Sequence, residues 1–156
     1  MPLVVHVPTS LADYLETMAR AIFTAGMGAA VIDRKWPGTV EAFGGFDPAT
    51  VAAYTPADVE RLLGDPRIVR NRKKVEAVVY NAGALLNVER EFGSVRAYLD
   101  SFAETEDLVK DLHRRFKFLG ESVARMFLYA VAFRESEQEA WARAHFGEAA
   151  MKRHGH

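Results

Sequence analysis

The fold is decided by residues 55–90, which read TPADVERLLGDPRIVRNRKKVEAVVYNAGALLNVER. Thr55 and Pro56 are typical of a helix start, because a threonine side chain caps free N–H groups and proline fits the first helical turn. This helix is predicted to end at Gly64 with a left-handed cap. A turn at Asp65-Pro66 then leads into a longer amphipathic helix. The stretch therefore predicts two helices joined by a short hairpin.

The same helical periodicity continues on both sides of this stretch. We predict further helices over Ser10–Phe23, over Ala29–Lys35, after Asp47-Pro48, and over residues 94–102, 106–115 (capped by Thr105), 120–134 and 136–146. Trp36-Pro37-Gly38 is expected to interrupt the helix that begins at Ala29. Only Leu3 to Val7 is predicted to be extended, and no run of alternating residues indicates a sheet. The fold class is therefore predicted to be all-α.

Composition limits the possible functions. The chain has 156 residues, 20 Lys and Arg against 21 Asp and Glu, and no cysteine. The lack of cysteine excludes disulfides, a thiolate nucleophile and a thiolate-bound metal. The net charge of −1 means that attraction to nucleic acid depends on where the cations lie.

The length predicts one domain over residues 1–156. We expect residues 1–8 to form an N-terminal arm and residues 147–156 to form a frayed tail. Because no apolar run is long enough to cross a bilayer and no signal peptide is recognised, we expect a cytoplasmic protein without a membrane partner. We expect it to be a monomer.

Positive charge gathers in the hairpin. Cations in the first turn of a helix oppose the positive end of its dipole, and a bound anion relieves this conflict. We therefore predict that the hairpin cations and Asn71 bind the phosphates of DNA. The alternative is a solvated basic surface screened by salt. The cations, with no acid among them in residues 66–74, are Arg67, Arg70, Arg72, Lys73 and Lys74.

A second positive segment covers residues 113–118 and alternates cations with aromatic rings. Arg115 and Lys117 are therefore candidates for further DNA contacts. The alternative is the end of a helix, where cations are favoured by the dipole.

Several short blocks follow one another in a characteristic order. They are Phe46-Asp47-Pro48, Asp58–Leu62, Ile68–Arg72, Lys74-Val75, Ala77-Val78, Asn81-Ala82 and Phe116–Gly120. Over roughly residues 43–133 the sequence thereby resembles the DNA-3-methyladenine glycosylase I family. The resemblance implies a helix-hairpin-helix DNA glycosylase-like fold, with paired helices at 56–64 and 71–90 and the hairpin at 65–70.

The resemblance also implies a function in base excision repair. The expected partner is duplex DNA containing a damaged base, the expected reaction is hydrolysis of the N-glycosidic bond of an alkylated base such as 3-methyladenine, and no cofactor is expected. Such enzymes extrude the target nucleotide and hold its base against aromatic rings. The candidates for the base pocket, whose alternative role is to fill the core, are Phe23, Trp36, Phe116 and Phe118.

Met27 lies in the break Gly26-Met27-Gly28. The resemblance places it where the family inserts an apolar wedge into DNA as the base departs. Two glycines could expose this side chain at the surface. The alternative is a methionine that packs into the core.

The chain departs from the family at several positions. Ala21 stands where the resemblance places the glutamate that recognises the base, and Ala29 stands where it places a pocket tryptophan. The family's zinc site lacks its cysteines here, and Glu137 replaces a ligand histidine, so we predict no metal. Glu121, at a helix start after Gly120, is a candidate catalytic carboxylate, and Asp100 is a second candidate. The alternative for both is an ordinary surface carboxylate.

The sequence leaves three functions open. The first is a glycosylase of reduced size that hydrolyses the bond to an alkylated base. The second is a non-catalytic helix-hairpin-helix protein that binds damaged or abasic DNA, which the missing glutamate favours. The third is a helical scaffold whose basic hairpin meets an acidic protein.

Overall fold

Nine α-helices and one short 3-10 turn, at Gly44–Phe46, make up the regular structure of residues 5–147, which the computed structural model describes. No strand occurs in this part of the chain, and the all-α prediction is confirmed. Residues 1–4 and 148–156, which include half of the predicted arm and nearly all of the predicted tail, lie outside the described residues. The helices are α1 (Leu11–Thr24), α2 (Ala29–Ala42), α3 (Pro48–Ala52), α4 (Pro56–Leu63), α5 (Arg72–Phe92), α6 (Val95–Asp100), α7 (Thr105–Arg115), α8 (Glu121–Ala130) and α9 (Glu135–Phe146).

Side-chain caps begin α3, α4 and α5, and the caps of α3 and α4 are those that the sequence predicts. The Asp47 carboxylate accepts the backbone N–H of Thr50 at 3.0 Å and starts α3. Thr55 and Asp58 form a reciprocal capping box at the start of α4. The Asn71 side chain accepts the N–H of Lys74 at 3.2 Å and starts α5. Each cap satisfies an N–H group that has no partner inside its own helix.

Helix α5 is the centre of the fold and packs against α1, α3, α4 and α6. The residues of its inner face are at most 1% exposed, so their burial supplies a large share of the hydrophobic stabilisation. A second group of contacts places α8 against α1, α7 and α9. The buried apolar residues of the α5 face are Val75, Val78, Ala82, Leu85 and Val88.

The predicted interruption of helix α2 at Trp36-Pro37-Gly38 is wrong. The helix continues through Pro37 to Ala42. Proline removes one backbone hydrogen bond, but Pro37 lies on the exposed side of α2, while Ile32, Trp36 and Thr39 are buried on the other side. Packing of the buried side therefore holds the helix together across the proline.

Three further details of the helix ends differ from the prediction. Gly64 has φ −88° and ψ −4°, so it is right-handed, and its N–H and that of Asp65 bond to carbonyls of the last turn of α4. Helix α8 ends at Ala130 instead of residue 134, because Ala132 and Arg134 both have positive φ angles that a helix cannot contain. Glu104, and not Thr105, is the cap residue of α7.

A buried polar side chain of α5 fixes the loop between α7 and α8. Asn81 is fully buried; its Nδ2 donates to the carbonyl of Lys117 at 2.9 Å, and its Oδ1 accepts the N–H of Lys117 at 2.7 Å. The next residue, Phe118, has a φ of +67°, a left-handed conformation that costs a non-glycine residue about 1–3 kcal/mol. The two hydrogen bonds therefore stabilise a strained backbone at this loop.

We expect Asn81→Leu to destabilise the protein, because it leaves the N–H and C=O of Lys117 without their buried partner. The expected cost is about 1–3 kcal/mol of unfolding free energy, measured by urea denaturation followed by circular dichroism. Asn87→Leu, on the exposed side of the same helix, is the matched control and should change stability by less than about 0.5 kcal/mol. Equal losses in both variants would contradict a structural role for the Asn81 amide.

Candidate nucleic-acid interface

The hairpin between α4 and α5 is exposed to solvent on one side and is held by the core and by α2 on the other. Ile68 is buried in the core at 1% exposure and holds the bend in place. The Asp65 carboxylate accepts the N–H of Arg67 at 2.9 Å, and Lys35 of α2 donates to the carbonyl of Pro66 at 3.0 Å. Arg70, at the end of the bend, is exposed. The bend is therefore rigid at its base and accessible at its tip.

Two of the five hairpin cations are engaged in ion pairs with acids of the same protein. Arg67 lies 2.7 Å from a carboxylate oxygen of Asp65 and 2.9 Å from one of Glu41. The hydrogen bond from the Arg67 guanidinium lowers the pKa of Asp65 to about 2. Arg72 lies 2.6 Å from a carboxylate oxygen of Glu60, the closer of its acidic neighbours. These pairs reduce the charge that Arg67 and Arg72 offer to a phosphate.

Lys74, which was also predicted to contact DNA, is buried and bonded within the protein. Its side chain is buried, and its ammonium donates to the carbonyl of Phe23 at 3.2 Å and to the carbonyl of Ala25. Burial lowers the pKa of the Lys74 ammonium from its usual value. The cation therefore pairs with the carboxyl-terminal end of α1.

Arg70 and Lys73 remain as the two exposed hairpin cations without an ion pair in the described part of the chain. Asn71, which was also predicted to contact DNA, lies between them in sequence and uses its side chain as the cap of α5. The hairpin therefore offers two free cations beside a helix amino terminus.

Two exposed apolar side chains lie near Lys74. Met27, 40% exposed, follows Ala25 in the loop between α1 and α2. Phe118, also 40% exposed, has its ring centroid 6.0 Å from the Lys74 ammonium. Met27 and Phe118 therefore lie close to the buried Lys74, while Arg70 and Lys73 are exposed in the adjoining hairpin and the first turn of α5. We call these four residues the hairpin face.

The other predicted pocket aromatics lie in the core instead of facing solvent. Phe23, Trp36 and Phe116 are 2%, 5% and 4% exposed. The Phe23 ring packs 6.3 Å from the Trp36 ring, so these side chains fill the space beside α1. Ala21, at the position of the family's glutamate, is also fully buried. Of the four predicted aromatics, Phe118 is the one that a base could reach directly.

The two cations of the second positive segment have different surroundings. Arg115 bonds to Glu91 at 2.8 Å and to Asp111 at 2.7 Å, and the hydrogen bond with Glu91 is the largest cause of its raised pKa. Lys117 is exposed, and its ammonium lies 4.5 Å from the centroid of the Tyr80 ring. Tyr80 borders a cleft of about 380 Å³ whose other lining residues are Ala52, Val79, Gly83, Ala84, Asn87 and Arg115.

Of the two candidate carboxylates, Glu121 is close in sequence to Phe118 of the hairpin face, and Asp100 lies elsewhere in the fold. Glu121 begins α8, three residues after Phe118, and its carboxylate lies 3.5 Å from the Arg125 guanidinium. Asp100 pairs with Arg96 at 3.6 Å, and Arg96 hydrogen-bonds to Tyr14 in the first turn of α1. Because Met27 follows the last turn of α1, Asp100 lies towards the opposite end of that helix.

Residues 5–147 contain no cluster of three or more side chains able to hold a metal ion. Glu137, which replaces the family's ligand histidine, accepts a hydrogen bond from the Thr105 hydroxyl at 2.9 Å. No helix in the same range is both long and apolar enough to span a membrane.

The role of Asn81, which sets the loop that presents Phe118, was not predicted from the sequence. A signal was available, because a single amide within the apolar stripe of α5 must find a partner when it is buried. The sequence did not indicate which loop would supply that partner.

Comparisons with known proteins agree with this architecture. The family model for methyladenine glycosylase matches residues 12–119. DNA-3-methyladenine glycosylase 1 of Escherichia coli (strain K12) is 30% identical over 127 aligned residues, which cover 68% of this chain and 68% of the relative. DNA-3-methyladenine glycosylase of Haemophilus influenzae is 31% identical over 88 residues, covering 56% of this chain and 48% of the relative.

Solved structures show the same similarity. The structure of 3-methyladenine DNA glycosylase I from Staphylococcus aureus has a TM-score of 0.69 and 31% identity, covering 84% of this chain and 78% of that one. A variant of 3-methyladenine DNA glycosylase I in complex with 3-methyladenine has a TM-score of 0.69 and 31% identity, covering 84% and 79%. The matched region contains the whole hairpin face, and the chain belongs to the methyladenine glycosylase family.

Proposed function

We propose that this chain is a DNA glycosylase that hydrolyses the N-glycosidic bond between deoxyribose and an alkylated base, such as 3-methyladenine, in duplex DNA. The observation that carries the proposal is the hairpin face, which combines two free cations with the exposed side chains of Met27 and Phe118 beside one buried lysine. Membership of the family supports the reaction, since the relatives are named for this activity and one structure holds 3-methyladenine.

The proposed grip on DNA uses the tip of the hairpin. Arg70 and Lys73 are exposed, and the backbone N–H groups in the first turn of α5 point out of the helix end. A helix amino terminus with adjacent cations attracts a phosphate through both its dipole and its free donors. Lys117, beside the Tyr80 cleft, is a second proposed contact.

The proposed chemistry needs little acid catalysis. Alkylation at a purine ring nitrogen makes the base cationic, so the base leaves as a neutral molecule while the oxygen of water bonds to C1′ of the sugar. The face of the Phe118 ring attracts a cationic base, and Met27 would occupy the space that the base leaves. Glu121 is the proposed acceptor for the proton of the attacking water.

We expect the neutral double variant Arg70→Gln, Lys73→Gln to weaken binding to undamaged duplex DNA. Each lost phosphate contact should reduce the slope of log K against log salt by about 0.9. The measurement is fluorescence anisotropy at several salt concentrations. Arg67→Gln is the matched control, because its guanidinium is paired with Asp65 and Glu41 and should change the slope little. An unchanged slope in the double variant would remove the hairpin from the interface.

We expect the wild-type protein to release 3-methyladenine from methylated duplex DNA in single-turnover reactions analysed by chromatography. Phe118→Leu should slow release by about tenfold, since loss of a stacked aromatic costs about 1–3 kcal/mol per base. Phe146→Leu, which removes an exposed ring from α9, is the control and should leave the rate unchanged. Release that persists in Glu121→Gln would exclude Glu121 as the proton acceptor while retaining the enzyme.

A second function is favoured by one specific observation. Ala21 replaces the family's glutamate and is fully buried, and three of the four candidate pocket rings are also in the core. A protein with this arrangement could bind damaged or abasic DNA without excising a base. Tight binding to an abasic-site duplex without any base release from methylated DNA would support this second function over the first.

The proposal includes a monomer that acts in the cytoplasm. The helix-hairpin-helix element and the hairpin face are formed within one chain, so no partner copy is needed to complete them. Light scattering after size exclusion measures the mass, and a dimer would contradict this part of the proposal.

A further inference from the structure

We propose that Lys74 is a positioning residue: its ammonium holds the carboxyl-terminal end of α1 so that the following loop presents Met27 to DNA, and it makes no phosphate contact itself. This inference rests on the proposed function. It concerns a residue that the sequence alone places among the DNA-binding cations.

The contacts of Lys74 join two elements that are distant in sequence. The Phe23 carbonyl, in the last turn of α1, and the Ala25 carbonyl, at its cap, both accept from the Lys74 ammonium. In the described part of the chain neither carbonyl has another donor. The N–H groups of Met27 and Gly28 bond to the carbonyl of Thr24 instead. Lys74 therefore satisfies acceptors that the end of α1 leaves free.

Electrostatics favour this position for the cation. The last turn of α1 contains no basic residue of its own, although the negative end of its dipole lies there. Lys74 belongs to the first turn of α5, where the dipole of its own helix disfavours a cation. The carbonyls of α1 compensate for that conflict, which the sequence had assigned to a phosphate.

Apart from Lys74, the loop beyond α1 is held by the two hydrogen bonds to the Thr24 carbonyl. Gly26 and Gly28 have φ angles of 78° and 86°, and the space beside both is open, so neither packs tightly against a neighbour. Met27 between them is 40% exposed. The bond from Lys74 to Ala25 therefore ties this loop to α5, which also carries the hairpin cations.

Lys73 and Lys74 are neighbours with opposite surroundings. Successive residues of a helix point about 100° apart, which directs Lys73 outward and Lys74 inward. The first turn of α5 therefore carries both Lys73, which would hold a phosphate, and Lys74, which positions the Met27 wedge. This connection sets where Met27 enters DNA relative to the gripped phosphate.

The test compares Lys74→Met with Lys73→Met. Binding and its salt slope are measured on a duplex with an abasic-site analogue, and insertion of Met27 is measured by the fluorescence of 2-aminopurine next to the analogue. Base release from methylated DNA is measured for the same proteins. All assays use a temperature at which circular dichroism shows each variant to be folded.

We expect Lys74→Met to keep the wild-type salt slope and to lose the fluorescence increase to the level of Met27→Ala. Base release should fall by about ten- to a hundredfold, because a small misplacement of a positioning group is costly. The double variant Met27→Ala, Lys74→Met should show no further loss, since the two residues act together. Lys73→Met should lower the salt slope by about 0.9 and keep the fluorescence increase at saturating protein.

Three results would overturn the inference. A salt slope for Lys74→Met that falls as far as that of Lys73→Met would mean that Lys74 binds phosphate. A full fluorescence increase in Lys74→Met would mean that the loop does not need it. Equal fluorescence in wild type and Met27→Ala would exclude the wedge, while base release by the wild type tests the proposed function separately.

If Lys74→Met does not fold, Lys74→Arg provides the readout, because it retains the cation but changes its reach. We then expect a wild-type salt slope with a reduced fluorescence increase. A reduced slope with a full increase would overturn the inference in this variant as well.

Discussion

The arrangement of the candidate site depends on the hydrogen bonds between the buried Lys74 ammonium and the carbonyls at the end of α1. A cation in the first turn of a helix needs a negative partner, and the desolvation that lowers the pKa of Lys74 makes that need stronger. The carbonyls of Phe23 and Ala25 meet it from within the protein. As a consequence, the hairpin and the Met27 loop are connected, and the ring of Phe118 lies 6.0 Å away. The Lys74 side chain thus contacts both the loop that contains Met27 and the loop that contains Phe118.

The partners of the other hairpin cations determine what remains for DNA. Arg67 and Arg72 are exposed, and their pairs with Asp65 and Glu60 are worth little stability on a surface. These ion pairs affect where positive charge is available on the surface, because they leave Arg70 and Lys73 as the unpaired cations of the hairpin. A narrow cationic tip favours one register of the DNA backbone over diffuse attraction.

The starts of α3 and α4 were predictable from the sequence because caps act over three or four residues, as at Asp47 and Thr55. Tertiary partners were not. The helix through Pro37 depends on burial of Trp36 against α1, which no local pattern indicates. The burial of Lys74 depends on carbonyls 49 and 51 residues away. The family resemblance predicted the hairpin correctly. Among the predicted site residues, four are buried, namely Phe23, Trp36, Phe116 and Lys74, and the others are partly or fully exposed.

The replacement of a glutamate by Ala21 bears on selectivity more than on the feasibility of the reaction. A carboxylate beside the base distinguishes a cationic purine from a neutral one, since it gains a charge pair only with the former. Without it, the proposed contact of the Phe118 ring with the base would still favour the cation, but by the smaller energy of a cation–π contact. The weak glycosidic bond of a cationic base then contributes the remaining discrimination, because a neutral purine is a poor leaving group in the same position. A glycosylase built this way would excise labile, positively charged bases and leave stable lesions in the DNA.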